Sequence, residues 1–120
     1  MHYVILIHRK PDFWTALDKE EAATLRTAYQ AYVQSAHEAG VLVAGDQLED
    51  AKKAKIVSAG NGGTRIADGP YAQEEKELGG YFVIETASEP EAIGWAARCP
   101  GAKYGTGVEL RPTVAQRMEH

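Results

Sequence analysis

The chain has 120 residues, a formal net charge of −4, 44% hydrophobic residues and 25% charged residues. That length fits one domain with its own core, and the negative charge argues against direct nucleic-acid binding. The single cysteine, Cys99, cannot form an intramolecular disulfide, and no apolar run reaches the roughly 20 residues needed to cross a bilayer. We therefore expect a cytoplasmic protein with no membrane partner.

The first half of the chain has the pattern of a strand, a helix and a strand. The apolar, β-branched residues 3–7 predict the first strand, and Phe13 and Trp14 should lie in the connection that follows. Asp18 and Glu21 are typical of an N-terminal capping box, and Gly40 of a C-terminal stop. Between them, one apolar stripe at helical spacing predicts a buried helix face formed by Ala22, Leu25, Tyr29, Tyr32, Val33 and Ala36. Residues 41–44 predict the second strand.

The second half adds a hairpin and repeats the strand–helix–strand pattern. Residues 55–58 and 64–67 flank a glycine-rich turn and predict two antiparallel strands. Residues 80–85 predict another strand, and a second capping box, Ser88 with Glu91, starts a helix that Pro100 should end. Residues 108–111 predict the last strand.

This order, β-α-β, a β-hairpin, then β-α-β, describes a ferredoxin-like α+β sandwich with an antiparallel sheet. Two helices cover only one face of such a sheet. Residues 3–7, 41–44 and 81–84 are nevertheless apolar throughout, so both faces require burial. The pattern favours a homodimer that packs sheet against sheet, and the alternative is a long loop over the open face.

No strong catalytic or cofactor-binding motif is present, and the histidines His2, His8, His37 and His120 lack metal-ligand spacing, so we expect no metal and no cofactor. The first candidate for chemistry is Asp68 in the tripeptide Asp68-Gly69-Pro70. One interpretation is turn chemistry, which aspartate, glycine and proline all favour. The other is a base or hydrogen-bond acceptor at the end of a strand, with Gly69, Pro70 and Tyr71 around a substrate.

Four further residues are candidates for the same cleft. His8 ends the first strand and is either a solvated terminus or a titrating group of the site. Asp46 ends the second strand and either caps a turn or faces the same cleft as Asp68. Tyr29 is a core residue or a hydroxyl donor to the cleft, and Trp14 is placed to cover its mouth. Cys99 and His37 are interpreted as structural residues.

Several segments together carry a family resemblance: "MHYVILIH", "VLVAGDQL", "ADGPYAQEEKELGGYFVIE" and "EAIGWAARCPGAKYGTGVELRP". In this order they resemble the YCII-related proteins of the DGPF type over residues 1–112, which leaves 113–120 as a polar tail. The resemblance implies a dimeric ferredoxin-like α+β barrel. Two departures stand out: Tyr29 is placed where many relatives carry a helix histidine, and Tyr71 where phenylalanine is usual.

The resemblance implies two kinds of function. In one, each subunit's cleft near the dimer interface binds a small molecule and performs cofactor-independent proton transfer of the isomerase, lyase or lactone type. Asp68 would then be the acceptor or base and Tyr29 the hydrogen-bond donor, with His8 and Asp46 nearby. In the other, the protein is a non-catalytic regulatory module linked to sigma-factor-dependent transcription.

Overall fold

A four-stranded antiparallel sheet in the order β2-β5-β1-β6 forms the centre of the computed structural model, which describes residues 1–72, 75–105 and 107–114. The strands are β1 (His2–Arg9), β2 (Leu42–Gln47), β5 (Glu77–Glu85) and β6 (Val108–Pro112). β3 (Lys55–Gly60) and β4 (Gly63–Asp68) form a separate two-stranded sheet. The order places the last strand beside the first and the second at the far edge, so the predicted ferredoxin-like α+β fold is confirmed.

Helix α2 (Lys19–Glu38) begins and ends where its caps predict. Asp18 accepts from the Glu21 backbone N–H at 2.7 Å, and the Glu21 carboxylate accepts from the Asp18 N–H at 3.0 Å. At the other end Gly40 has φ 71°, and the Val41 and Gly40 N–H groups bond the Ala36 and His37 carbonyls. This is a Schellman motif, which satisfies the last carbonyls of the helix.

Two local expectations need detail or correction. Phe13 and Trp14 lie in the connection between β1 and α2, as expected, but they form a short helix there, α1 (Phe13–Ala16). Pro100 does not simply end a helix: α3 (Glu89–Arg98) stops at the extended residue Cys99, and Pro100 then starts α4 (Pro100–Tyr104). Proline suits the first helical turn, because its missing N–H has no partner there in any case.

The second capping box is only half formed. Ser88 accepts from the Glu91 N–H at 3.3 Å, but the Glu91 carboxylate accepts from Ala87 rather than from Ser88. A short 3₁₀ turn, Ala51–Lys53, connects β2 to the hairpin. The predicted polar tail, 113–120, lies outside the described residues from 115 onward.

The core lies between one face of the sheet and the helices. Tyr3 and Ile5 of β1, and Phe82 and Ile84 of β5, point to that face and are buried. They pack with residues of α2 and α3 and with Cys99; those from the helices are Tyr32, Ala36, Ala92, Trp95 and Ala96. The Tyr32 hydroxyl donates to the Trp95 carbonyl at 2.8 Å, which joins the two helices inside the core.

The opposite face of the sheet carries a different set of residues. Val4, Leu6, Tyr81 and Val83 alternate with the core residues and are half-buried. Charged residues flank this apolar centre, with Glu109 and Arg111 of β6 beside Leu6 and Val4. Across the described ranges, no helix is long and apolar enough to cross a membrane.

Candidate functional site

A cavity of about 620 Å³ lies on the helix side of the sheet, where the ends of β1, β2 and β5 meet α1, α2 and α4. Apolar and aromatic side chains form much of its wall, among them Ile7, Phe13, Leu25 and Phe82. A cavity of this size and lining suits a small organic ligand. Gly45, Gly79 and Gly80 also line it, and the Phe82 ring and the Arg9 side chain occupy the space beside Gly45 and Gly79.

Tyr29 is a predicted site residue that lines this cavity and is half-buried. Its ring lies 6.5 Å from that of Phe82, and its hydroxyl packs against Gly101, where an added Cβ would come within 3.0 Å of it. Burial raises the pKa of the Tyr29 hydroxyl above its ordinary value, although the charge of Arg9 opposes part of the rise. The hydroxyl therefore stays protonated at neutral pH and is a hydrogen-bond donor.

His8, Asp46 and Trp14 also line the cavity. The His8 Nε2 atom lies 3.2 Å from a Glu109 carboxylate oxygen. The Asp46 carboxylate accepts from the Tyr81 hydroxyl at 3.0 Å, which raises the pKa of Tyr81 because deprotonation would place two anions together.

Trp14 has two neighbours on the cavity wall. It packs edge-on against Phe13, and the Arg26 guanidinium lies 5.9 Å from its ring centroid. Trp14 comes from α1 and Arg26 from α2, so this contact connects two helices of the wall.

The segment of residues 68–71, which includes the Asp68-Gly69-Pro70 tripeptide, lies outside the cavity. None of Asp68, Gly69, Pro70 and Tyr71 is among the described residues that line the cavity. Asp68 ends β4, and its carboxylate, 86% exposed, lies 2.6 Å from the Lys55 ammonium across the hairpin. The Gly69 N–H bonds the Ala54 carbonyl at 2.9 Å, and Tyr71 is exposed. Within one chain, the structure therefore does not bring Asp68 together with Tyr29.

Arg9 is a buried charged residue of the cavity wall that the sequence did not indicate as a site residue. It is only 8% exposed, and its Nη2 atom donates to the Leu48 carbonyl at 3.1 Å and the Glu49 carbonyl at 3.4 Å. The same atom lies 3.9 Å from the Glu77 carboxylate, so the guanidinium is held by three groups. The available signal was Gly79, where any side chain would collide with Arg9 Cδ and Nε at 2.6 and 2.8 Å.

Two further observations concern the cysteine and possible metal ligands. Cys99 is fully buried and burial raises the pKa of its thiol, so it is a poor nucleophile. In the part of the chain that the structure describes, no three histidine, cysteine, aspartate or glutamate side chains are grouped to hold a metal ion.

The fold and the cavity define a ferredoxin-like α+β protein that has a cavity of ligand size between its sheet and α2. Residues 1–113 match the YCII-related domain, and the chain belongs to this family. An uncharacterized protein of Rhizobium meliloti is 30% identical over 113 residues, which cover 93% of this chain and 91% of the relative.

A solved structure shares the fold at low sequence identity. It is the 5-chloro-2-hydroxyhydroquinone dehydrochlorinase TftG from Burkholderia phenoliruptrix, in complex with 2,5-dihydroxybenzoquinone. The TM-score is 0.53 at 14% identity, and the match covers 100% of this chain and 95% of TftG. At this identity the similarity establishes the fold alone.

Proposed function

We propose that the cavity binds a small ring compound and catalyses proton transfer on it without a cofactor, as an isomerase or lyase does. The observation that carries this proposal is the cavity of about 620 Å³, open to solvent on one side, with the protonated Tyr29 hydroxyl in its wall. TftG, which has the same fold, is a dehydrochlorinase, and loss of hydrogen chloride is an elimination. The cavity favours this function over the alternative, a non-catalytic regulatory module, because binding a protein partner needs only a shallow surface.

In the proposed reaction Tyr29 is the electrophilic donor. A base removes a proton from carbon next to a carbonyl, and the electron pair of the broken C–H bond moves to the carbonyl oxygen. The Tyr29 hydroxyl donates to this oxygen as its charge develops. In an isomerisation the pair then returns from the oxygen and the protonated base gives the proton to another carbon. In an elimination the returning pair forms a carbon–carbon double bond, and the leaving group departs with the electron pair of its own bond to carbon.

His8 is the proposed base, because it lines the cavity and a neutral imidazole nitrogen can accept a proton. Its imidazole lies 3.2 Å from Glu109, which is on the open-face side of β1, so in this scheme the ring must turn toward the cavity to take the proton. Asp46 also lines the cavity, but its carboxylate already accepts from Tyr81, so we assign it a supporting role. Asp68 remains in its ion pair with Lys55 and takes no part in this scheme.

A matched pair of tyrosine substitutions tests the proposal. Ligands are first sought by thermal shift with ring compounds, including 2,5-dihydroxybenzoquinone and 5-chloro-2-hydroxyhydroquinone, because a ligand of the folded state raises its stability. Turnover of a bound compound is then measured for Tyr29→Phe and Tyr32→Phe. Tyr29→Phe should lower kcat about 10²–10³-fold, as loss of an oxyanion donor does.

Tyr32→Phe is the control, since its hydroxyl is committed to the Trp95 carbonyl and does not line the cavity. It should lower stability and leave kcat within about twofold of the wild type. Asp68→Asn should also leave kcat unchanged. Loss of turnover in Asp68→Asn with an intact fold would restore Asp68 as the catalytic group, and absence of any ring-compound ligand would refute the proposed function.

We further propose that the chain is a homodimer that buries the open face of the sheet. Support comes from the apolar centre of that face, Val4, Leu6, Tyr81 and Val83, with charged residues around it. A second copy presents the same self-complementary surface, as two-fold symmetry requires. Light scattering should give twice the chain mass of 13.0 kDa.

Paired substitutions locate the proposed interface. Val83→Glu places a charge at the centre of the open face and should yield a species of 13.0 kDa. Ile93→Glu, on the exposed side of α3, should remain dimeric. A monomeric wild-type chain, or a Val83→Glu variant that remains dimeric, would contradict this arrangement.

A further inference from the structure

The charge of the cavity wall is opposite to that of the chain. The sequence has 17 acidic and 13 basic residues, yet the described residues that line the cavity include two arginines, Arg9 and Arg26, and two histidines. The single carboxylate among them, Asp46, already accepts a hydrogen bond from Tyr81. A cleft with one sign of charge and apolar walls concentrates ligands of the other sign.

Arg9 is the buried cation of this wall. Its Nη2 atom is engaged by the Leu48 and Glu49 carbonyls, whereas Nε and Nη1 make no hydrogen bond to any residue in the ranges 1–72, 75–105 and 107–114. Among the described residues no buried side-chain nitrogen or oxygen lacks a hydrogen-bond partner, so these two donors are in contact with solvent and open to an acceptor. A bound ligand can supply that acceptor.

Glu77 forms an ion pair with Arg9 and does not line the main cavity. Its carboxylate accepts from the Ala51 N–H at 3.0 Å and lines a smaller adjacent cavity of about 390 Å³, while Arg9 lines both cavities. The ion pair at 3.9 Å therefore fixes the guanidinium from one side. Its other donors are left for the main cavity.

From these observations we infer that the ligand is an anion: a ring compound with a carboxylate, enolate or phenolate oxygen that accepts from Arg9 Nε and Nη1. Arg26 over Trp14 contributes the second positive charge of the wall and attracts the anion to the cavity. This inference rests on the proposed function, because it specifies the ligand of the same cavity. It assigns Arg9 as a specificity-determining residue for that ligand.

Matched acids and amides test the inference. The probes are benzoate and 2,5-dihydroxybenzoate, each compared by calorimetry with its neutral amide. The wild type should bind each acid at least about tenfold more tightly than its amide, because a charge-assisted hydrogen bond is worth that much. Arg9→Gln should remove this preference, and Arg9→Lys should retain part of it.

Arg98→Gln is the matched control, since Arg98 packs on Trp95 at 4.2 Å and bonds Ser35 away from the cavity. It should keep the full preference for acids. Should Arg9→Gln fail to fold, Arg26→Gln and the wild-type acid-to-amide ratio still decide the question, because Arg26→Gln should weaken only the acids.

The outcomes separate the two proposals. Equal binding of acid and amide by the wild type refutes the anion inference and leaves the small-molecule site intact. A preference that persists in folded Arg9→Gln refutes the role of Arg9. If neither acids, amides nor the ring compounds above bind, the proposed function fails and the anion inference fails with it.

Discussion

Gly45 should be intolerant of even a methyl group, although it lies at an edge of the sheet. It pairs with Phe82 across β2 and β5, and the Phe82 ring lies directly over it. An added Cβ would overlap Phe82 Cδ1, lie 2.9 Å from Cε1 and 3.0 Å from the Tyr81 carbonyl oxygen. Phe82 has little room to retreat, because it packs against Tyr32 in the core with ring centroids 5.3 Å apart.

The magnitude follows from two opposing effects. Replacing glycine by alanine restricts the unfolded chain and stabilises by about 0.4–1 kcal/mol. Overpacking a core contact costs about 1–3 kcal/mol. Gly45→Ala should therefore lower the free energy of unfolding by about 1–2 kcal/mol, which for 120 residues lowers Tm by about 4–8 °C.

Gly94 provides the matched control. It lies on the exposed side of α3, where an added Cβ would meet nothing within 4 Å. Gly94→Ala should stabilise by about 0.5–1 kcal/mol, because glycine is a poor helix former. Thermal and urea unfolding at one protein concentration measure both variants. A Gly45→Ala protein as stable as the wild type, beside a stabilised Gly94→Ala, would show that Phe82 is not tightly packed.

Three other predictions concern the frame around the cavity. Asp18→Ala should lower stability by about 1 kcal/mol in urea unfolding, since the Asp18 carboxylate caps α2 at 2.7 Å, and Asp18→Asn should recover most of the loss. Tyr32→Phe should cost about 1 kcal/mol through loss of the bond to Trp95, whereas an unchanged midpoint would mean that this bond contributes nothing. The Cys99 thiol should react with a disulfide reagent only on unfolding, because burial raises its pKa; rapid labelling of native protein would contradict its burial.

The elements of the fold could be predicted from local signals. Each long helix begins at a polar cap with an acidic residue three positions later, and α2 ends at a glycine with positive φ. Strand patterns placed β1 and β5 correctly because their apolar residues are continuous. Pro100 was misjudged because proline both follows helices and begins them, and the extended Cys99 between α3 and α4 leaves no local signal.

The site could be predicted only in part. Tyr29, His8, Asp46 and Trp14 do line one cavity, because strand ends and the buried stripe of α2 converge there. The separation of Asp68 from them depends on where the hairpin points, which is a tertiary property that no local pattern specifies. Arg9 was missed for a similar reason: its partners, Leu48, Glu49 and Glu77, are distant along the sequence.

The β3–β4 hairpin, which ends at Asp68, has its two ends next to each other. The Gly69 N–H bonds the Ala54 carbonyl at 2.9 Å, so the residues before and after β3 and β4 are already in contact. The two strands form their own sheet, and the four main strands pair without them. Residues 55–68 thus form a hairpin closed at its base by one backbone hydrogen bond, and none of them is among the described residues that line the cavity.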